Sequence, residues 1–254
     1  MESDVEVAIR AAVAGASEVR SRFGGELERF AESGVDFATS ADLAAERAIT
    51  AVLADARPAD AFVGEETGGT VPGSGRVWLV DPLCGTVNYA ARTPLAAVNV
   101  ALRVGPGVVA AAVADPFSGE VFWTDGEVAR VRVAGDEPLR PDPSSRLVDV
   151  NLDVPDQAVL GMLADNAFTT AFQPRVFSTT LALAWVASGR RAAYVTAGDL
   201  RDSVHFTSAI ALCEAAGCVV TGIAGGPLHT GPHGLVAAAD PDTHTALVQT
   251  LTRL

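Results

Sequence analysis

Two apolar runs in the first third of the chain each end in acidic residues. Ala61-Phe62-Val63 leads through Gly64 into Glu65 and Glu66, and Val77-Trp78-Leu79-Val80 leads into Asp81. Runs of this length bounded by Gly, Pro and Thr read as strands. The fold must therefore gather carboxylates at strand ends, beside the Gly85-Thr86 segment that opens a helix or turn. Such an arrangement can hold a hard divalent cation through oxygen atoms while the backbone N–H groups of Gly85 and Thr86 face an anion. Phosphate chemistry is the inference. Taken singly, each strand-end acid is about as readily a solvated group or a helix cap.

The rest of the chain supplies a mixed frame. Val5, Ala8, Ala12, Val19, Phe23, Leu27 and Phe30 recur at helical spacing, and a second helix is predicted over Ala41 to Ala54, after a turn at Glu32-Ser33-Gly34. A Gly/Pro-rich loop, TVPGSG, separates the two acidic strand ends. Ala96 to Val104, Val108 to Asp115 and Glu120 to Thr124 read as an antiparallel meander, broken by Gly-Pro-Gly and Pro-Phe-Ser-Gly. Turn residues concentrate at Pro141 to Ser145, which predicts one domain over residues 1–254 made of two packed halves, about 1–143 and 144–254. In the second half a strand from Leu147, a helix from Thr179 to Ser188, a strand from Ala192 to Thr196, a helix from Ser203 to Ala216 and a strand from Cys218 alternate as layered α/β structure would.

Composition removes several alternatives. With 49% hydrophobic residues over 254 positions the chain can bury a substantial core. No stretch approaches the roughly 18 uninterrupted apolar residues of a bilayer span, so a soluble cytoplasmic protein without a membrane partner is predicted. Eighteen basic against 31 acidic residues leave a net charge of −13, with the basic residues scattered singly, which argues against nucleic acid as a partner. All eighteen basic residues are Arg, excluding a Schiff-base lysine and a Walker-type phosphate lysine. Cys84, Cys213 and Cys218 form neither a disulfide framework nor a zinc pair. Cys213 and Cys218 read as core packing, and His229, His233 and His244 as surface residues.

Several blocks together carry a resemblance. FVGEE, then WLVDPLCGTVNY, then EAAG around Glu214 resemble, in order and spacing, the signature blocks of the inositol monophosphatase family. DFATSADLAAERAI resembles the early block of that family, TPLAAVNVAL and VVAAAVADPFSGEVFW its central strands, and GGPLHTGPHGLVAAADP its closing strand and loop, so nearly the whole chain is covered. The resemblance implies an α/β fold of the layered αβαβα type shared with fructose-1,6-bisphosphatase, a homodimer, and a hydrolase of small phosphorylated molecules. It also implies that Glu65, Asp81, the Leu83 carbonyl and the Thr86 hydroxyl form a magnesium site. Glu65 and Thr86 would activate the attacking water, Asp42 would support them, and Gly85 and Thr86 would cradle the phosphate.

Two positions depart from the pattern. Where the family reads Asp-Pro-Ile/Leu-Asp-Gly-Thr, the second Asp is Cys84, and a thiol or thiolate is a poor magnesium ligand. Counting back from Glu214 places Val204 where the family carries another ligand Asp, with Asp202 two residues earlier as a substitute if the loop shifts. Phe177-Ser178-Thr179-Thr180 stands in place of Gly-Ser-Ala-Ala, and Phe206-Thr207-Ser208 in place of small residues. Bulk thus enters the expected substrate pocket, with Phe177 and Ser178 as its contacts. Losing one of two cations removes stabilisation of a kind worth roughly 10²–10³ in rate. Magnesium is then expected at one site or not at all. Cys84 sits just before a helix N-terminus, which can lower a thiol pKa, so Cys84, His205 and Asp202 form a candidate nucleophile, base and orienter. The ordinary reading makes Cys84 a filler and His205 a helix-start residue. Three classes follow: a repurposed enzyme, favoured by the clustering of changes in the pocket; a residual magnesium-dependent phosphomonoesterase; and a noncatalytic binding protein.

Overall fold

A computed structural model describes residues 2–31, 37–69 and 75–253. The turn expected at Glu32-Ser33-Gly34 and nearly all of the TVPGSG loop lie outside them. The chain divides into two compact units, Met1–Glu137 with Thr179–Leu181 and Val204–Leu212, and the remainder.

In the first unit, α1 spans Asp4–Arg22, with Ser3 accepting the Glu6 N–H as its cap, acids in its first turn and Arg20 and Arg22 in its last. It ends where Phe23 turns extended and Gly24 takes a positive φ. The helix therefore stops short of Phe30, to which the apolar spacing ran; Phe30 is an exposed residue of β1 (Arg29–Ala31), paired antiparallel with β2 (Phe37–Thr39). Phe23 and Leu27 still pack on the core, which explains why the spacing carried on past the helix. Next, α2 (Ser40–Ala56) opens with a capping box between Thr39 and Asp42.

An eight-stranded sheet follows: β3 (Ala61–Gly64), β4 (Gly68–Gly69), β5 (Arg76–Cys84), β6 (Ala97–Val104), β7 (Gly107–Ala114), β8 (Val121–Thr124), β9 (Ala129–Arg132) and β10 (Asp136–Pro138), with the five-residue helix α3 (Thr86–Ala90) between β5 and β6. Its order is β10-β9-β8-β7-β6-β5-β3-β4, and the predicted meander is its antiparallel β6–β7–β8 run. One sheet face buries Trp78, Val80, Val98, Val100 and Ala112 against α1 and α2, and the other carries Ala61, Val77, Leu79, Ala101 and Ala111.

The second unit holds a five-stranded sheet, order β12-β11-β13-β15-β14, from β11 (Leu147–Asn151), β12 (Gln173–Val176), β13 (Ala193–Ala197), β14 (Val219–Thr221) and β15 (Gly234–Ala238). β11 is parallel to β12 and β13, and β15 is antiparallel to β13 and β14. α4 (Gln157–Ala164), α5 (Asn166–Ala171) and α8 (Pro241–Arg253) bury Val159, Met162, Phe168, Leu247 and Leu251 with Val148, Val150 and Val236. α6 (Leu181–Ala187) and α7 (Thr207–Ala216) complete the elements. α7 begins four residues later than the apolar pattern suggested, because Val204 to Phe206 form turns. His244 is half-buried rather than on the surface, with Nε2 2.7 Å from the Thr221 hydroxyl.

Candidate active site

Strand pairing places the carboxylates. β3 and β5 run parallel with Gly64 beside Val80, so the chain leaves β3 at Glu65 next to Asp81, and the Glu65 N–H donates to the Val80 carbonyl at 3.1 Å. Between Asp81, opposite Asn99, and Cys84, opposite Ala97, β5 slips its register against β6. Pro82 lies in that gap and has no N–H for the ladder, a sufficient cause for a bulge. The bulge is locked from inside: the Leu83 N–H donates to Asp81 Oδ1 at 3.0 Å, and the Thr86 hydroxyl lies 3.1 Å from the Leu83 carbonyl. Gly85, at φ 112°, makes the left-handed turn into α3 that a side chain would resist.

A buried acid on α2 holds the other arm. Glu46 accepts the N–H groups of Glu66 (2.9 Å) and Thr67 (3.0 Å) and the Thr67 hydroxyl (2.5 Å). It lies so close over Gly64 that a Cβ there would sit 2.4 Å from Glu46 Oε2. Asp42, one helical turn earlier and also buried, accepts the backbone N–H and hydroxyl of Thr39, and its Oδ1 lies 3.1 Å from the Thr86 hydroxyl. Burial pushes the Asp42 carboxyl up to about 6 against the opposing pull of the Thr39 hydrogen bonds.

Sequence reasoning did not single out Glu46 or Asn99. Asn99 is fully buried; its amide donates to Thr180 Oγ1 (2.7 Å) and Asp81 Oδ2 (3.4 Å) and its carbonyl accepts the Ser208 hydroxyl (3.1 Å). A signal for Glu46 was present: Asp42 and Glu46 stand four apart on the stripe that carries Ala45 and Ile49. Acids on the apolar face of a helix are buried, and buried acids need partners.

His205, on the turn before α7, faces Asp81 and Glu65. Nδ1 is 2.8 Å from Asp81 Oδ2 and Nε2 is 3.8 Å from Glu65 Oε1. One donor atom from each of Glu65, Asp81 and His205 lies within 4.8 Å of the other two. Asp81 is inaccessible to solvent, and Glu65 Oε2 is buried with no hydrogen-bond partner. Burial first, and then the neighbouring Asp81 charge, push the Glu65 carboxyl far above the ordinary carboxylate range. A partly buried carboxylate beside the solvent-inaccessible Asp81 carboxylate is held neutral unless a positive charge stands next to it. The orphaned oxygen and the crowded charge are what a divalent cation would answer, so the residues fit one.

Cys84 has surroundings that oppose thiolate formation. Cys84 ends β5 and does sit just before a helix N-terminus, with the Gly85 cap between it and α3, but α3 has only five residues, too short for a strong dipole. Burial and the Asp81 charge push the Cys84 thiol well above its ordinary value, and its sulfur accepts the Thr180 N–H at 3.3 Å. The His205 imidazole stands against Asp81 and Glu65. Asp202 is an exposed turn residue with φ 56°, in the second unit. Val204 packs against the apolar cluster of Ala61, Val77, Leu79 and Ala101, where no carboxylate would be stable. Phe177 and Ser178 also belong to the second unit, Phe177 edge-on to Trp185 at 6.1 Å and the Ser178 hydroxyl on Asp153 Oδ2 at 2.5 Å.

The sequence model of the inositol monophosphatase family matches residues 1–254. The chain belongs to the inositol monophosphatase family. Members of this family are phosphatases that use magnesium. Inositol-1-monophosphatase ImpA of Mycolicibacterium smegmatis is 32% identical over 236 residues, 86% of this chain and 81% of that one. An inositol-1-monophosphatase of Caulobacter vibrioides is 34% identical over 186 residues, 65% of this chain and 68% of its own. The fold is that of solved inositol monophosphatase relatives: the extragenic suppressor protein SuhB of Bartonella henselae superposes with a TM-score of 0.88 at 24% identity, over 98% of each chain. No helix among the described residues is long and apolar enough to cross a membrane.

Proposed function

We propose that this inositol monophosphatase family member hydrolyses phosphate monoesters of small polyols or sugars with one divalent cation where two are expected from the family pattern, and therefore slowly. The observation that carries this reading is the Thr86 hydroxyl, 3.1 Å from both Asp42 Oδ1 and the Leu83 carbonyl and next in the chain to the Gly85 turn. Glu65, Asp81, the Leu83 carbonyl and the Thr86 hydroxyl would hold the cation. When bound, it supplies Lewis-acid polarisation of a phosphoryl oxygen and lowers the pKa of water.

The protein groups have separate tasks. A hydroxyl has one proton, so Thr86 can give it to Asp42 and turn its lone pairs towards an attacking water. Glu65 receives a proton from that water, and Gly85 and Thr86 offer their N–H groups to phosphate oxygens. On the leaving-group side, the neutral Cys84 and the apolar Val204 offer no charge where the family pattern has two carboxylates. An electrostatic loss of this kind lowers rates by about 10²–10³. Repurposed cysteine chemistry has less support, since burial and the Asp81 charge both oppose the thiolate, the nucleophilic form. A homodimer in the cytoplasm goes with this reading.

Phosphate release from a panel of inositol, sugar and nucleotide monophosphates, with and without divalent cations, tests it. Slow, cation-dependent turnover abolished by Asp81→Asn is expected. Stabilisation by these ligands with no phosphate release would replace the proposal with a noncatalytic binding role.

A further inference from the structure

The family-type reading of the first cation site uses oxygen donors alone, yet the side chain that crowds these two carboxylates is an imidazole. We infer that His205 is a third side-chain ligand of the cation site, converting it from a magnesium site into a mixed carboxylate–imidazole site that selects a transition-metal ion such as Mn2+. This rests on the reading above that Glu65 and Asp81 hold a cation.

The geometry is specific. His205 Nδ1 stands 2.8 Å from Asp81 Oδ2, the spacing of two donors on adjacent corners of one ion. The opposite nitrogen, Nε2, stands 3.8 Å from Glu65 Oε1. That is too long for a hydrogen bond, and one ring nitrogen, one Asp81 oxygen and one Glu65 oxygen all lie within 4.8 Å of one another, close enough to share one ion. The His205 side chain is 41% exposed, so the face of the site it borders is open to an entering ion, while Asp81 is sealed behind it.

The neighbouring residue explains why the histidine is there. Val204 stands at the position counted as the family's second-site Asp, and its side chain is committed to the apolar cluster under the sheet. The turn from Val204 to Phe206 then brings the next side chain, His205, to the carboxylates. The position counted to the second site thus carries no ligand, and the next side chain brings a nitrogen donor to the first. Magnesium binds oxygen and gives up its water reluctantly, whereas imidazole nitrogen suits manganese, iron, cobalt and zinc.

Mn2+ bound to the purified apoprotein provides the test, read by pulsed electron paramagnetic resonance for nitrogen coupling and by titration for affinity. The wild type should show 14N coupling from one imidazole, lost in His205→Gln. The same substitution should weaken Mn2+ by about 10–100-fold, the usual effect of losing a ligand or its support, and leave Mg2+ within about threefold. Circular dichroism and melting of His205→Gln against wild type check that the variant folds; if it does not, His205→Asn is measured in its place. Mn2+ bound in a Glu65-dependent way without nitrogen coupling, or an equal loss for both ions, overturns the inference and leaves the cation site standing. Failure of the wild type to bind either ion overturns both.

Discussion

The sulfur of Cys84 accepts the backbone N–H of Thr180 at 3.3 Å, across 96 positions of sequence, and this contact ties the end of β5 to the residue before α6. Burial and the neighbouring Asp81 charge push this thiol above its ordinary pKa. Cys84→Ala should therefore retain cation-dependent phosphate release within about threefold, because it removes no charge from the cation site. Iodoacetamide should label native Cys84 far more slowly than a free thiol, with mass spectrometry as the readout. Rapid labelling at neutral pH would restore the nucleophile.

Replacing Cys84 by Asp should strengthen Mg2+ binding and raise turnover by at least about tenfold, since it returns an oxygen ligand beside Asp81. Val204→Asp should behave differently. Its carboxylate would enter the cluster of Ala61, Val77, Leu79 and Ala101, so a cost of about 2–4 kcal/mol in urea unfolding is expected without metal. Equal benefit from the two substitutions would contradict the placement of Val204.

Gly64→Ala tests the clamp on the loop that carries Glu65. The added methyl would meet Glu46 Oε2 at 2.4 Å, and Glu46 cannot retreat without dropping the N–H groups of Glu66 and Thr67. A destabilisation of about 1–3 kcal/mol and a larger loss of cation affinity are expected from denaturation and titration.

Asp149 predicts a pH dependence in the second unit. Burial pushes its carboxyl up to about 6, against the lowering effect of Arg191, whose Nε is 2.6 Å from Oδ2, and of Arg175 on the adjoining strand. The native state binds this proton more tightly than the unfolded chain does. The contribution is therefore fully present below about pH 4 and is lost as pH rises through about 6, a change of at most about 3 kcal/mol. Asp149→Asn should flatten the stability profile between pH 4 and 7 relative to wild type. An unchanged slope would show that Asp149 is ionised throughout.

Much of the frame is legible in the sequence alone. The strands ending at Glu65 and Asp81 were visible because turn residues bound them, and the β6–β7–β8 meander because Gly and Pro punctuate it. Helix ends were harder: Phe23 and Leu27 continue the apolar spacing of α1 after the backbone has left it, since spacing reports burial rather than hydrogen bonding. Among the site residues, Cys84 and Val204 could be marked as departures from a pattern, but their surroundings could not. His205 stands out for its chemistry, but its contacts with Asp81 and Glu65 are not legible, because they lie more than a hundred positions away. Asn99 gave no signal, since an amide in an apolar strand announces neither its Asp81 partner nor its Thr180 one.

Asn99 also bears on how the gene can be divided. Its amide and carbonyl are satisfied by Thr180 and Ser208, two short insertions into the first unit from far downstream. A fragment stopped at Glu137 would keep every strand of the eight-stranded sheet except the end of β10, yet it would strip an enclosed amide of both those partners. Expression of the amino-terminal piece alone should give an aggregating product, and a split-protein pair cut there should regain solubility only when the two pieces are made together.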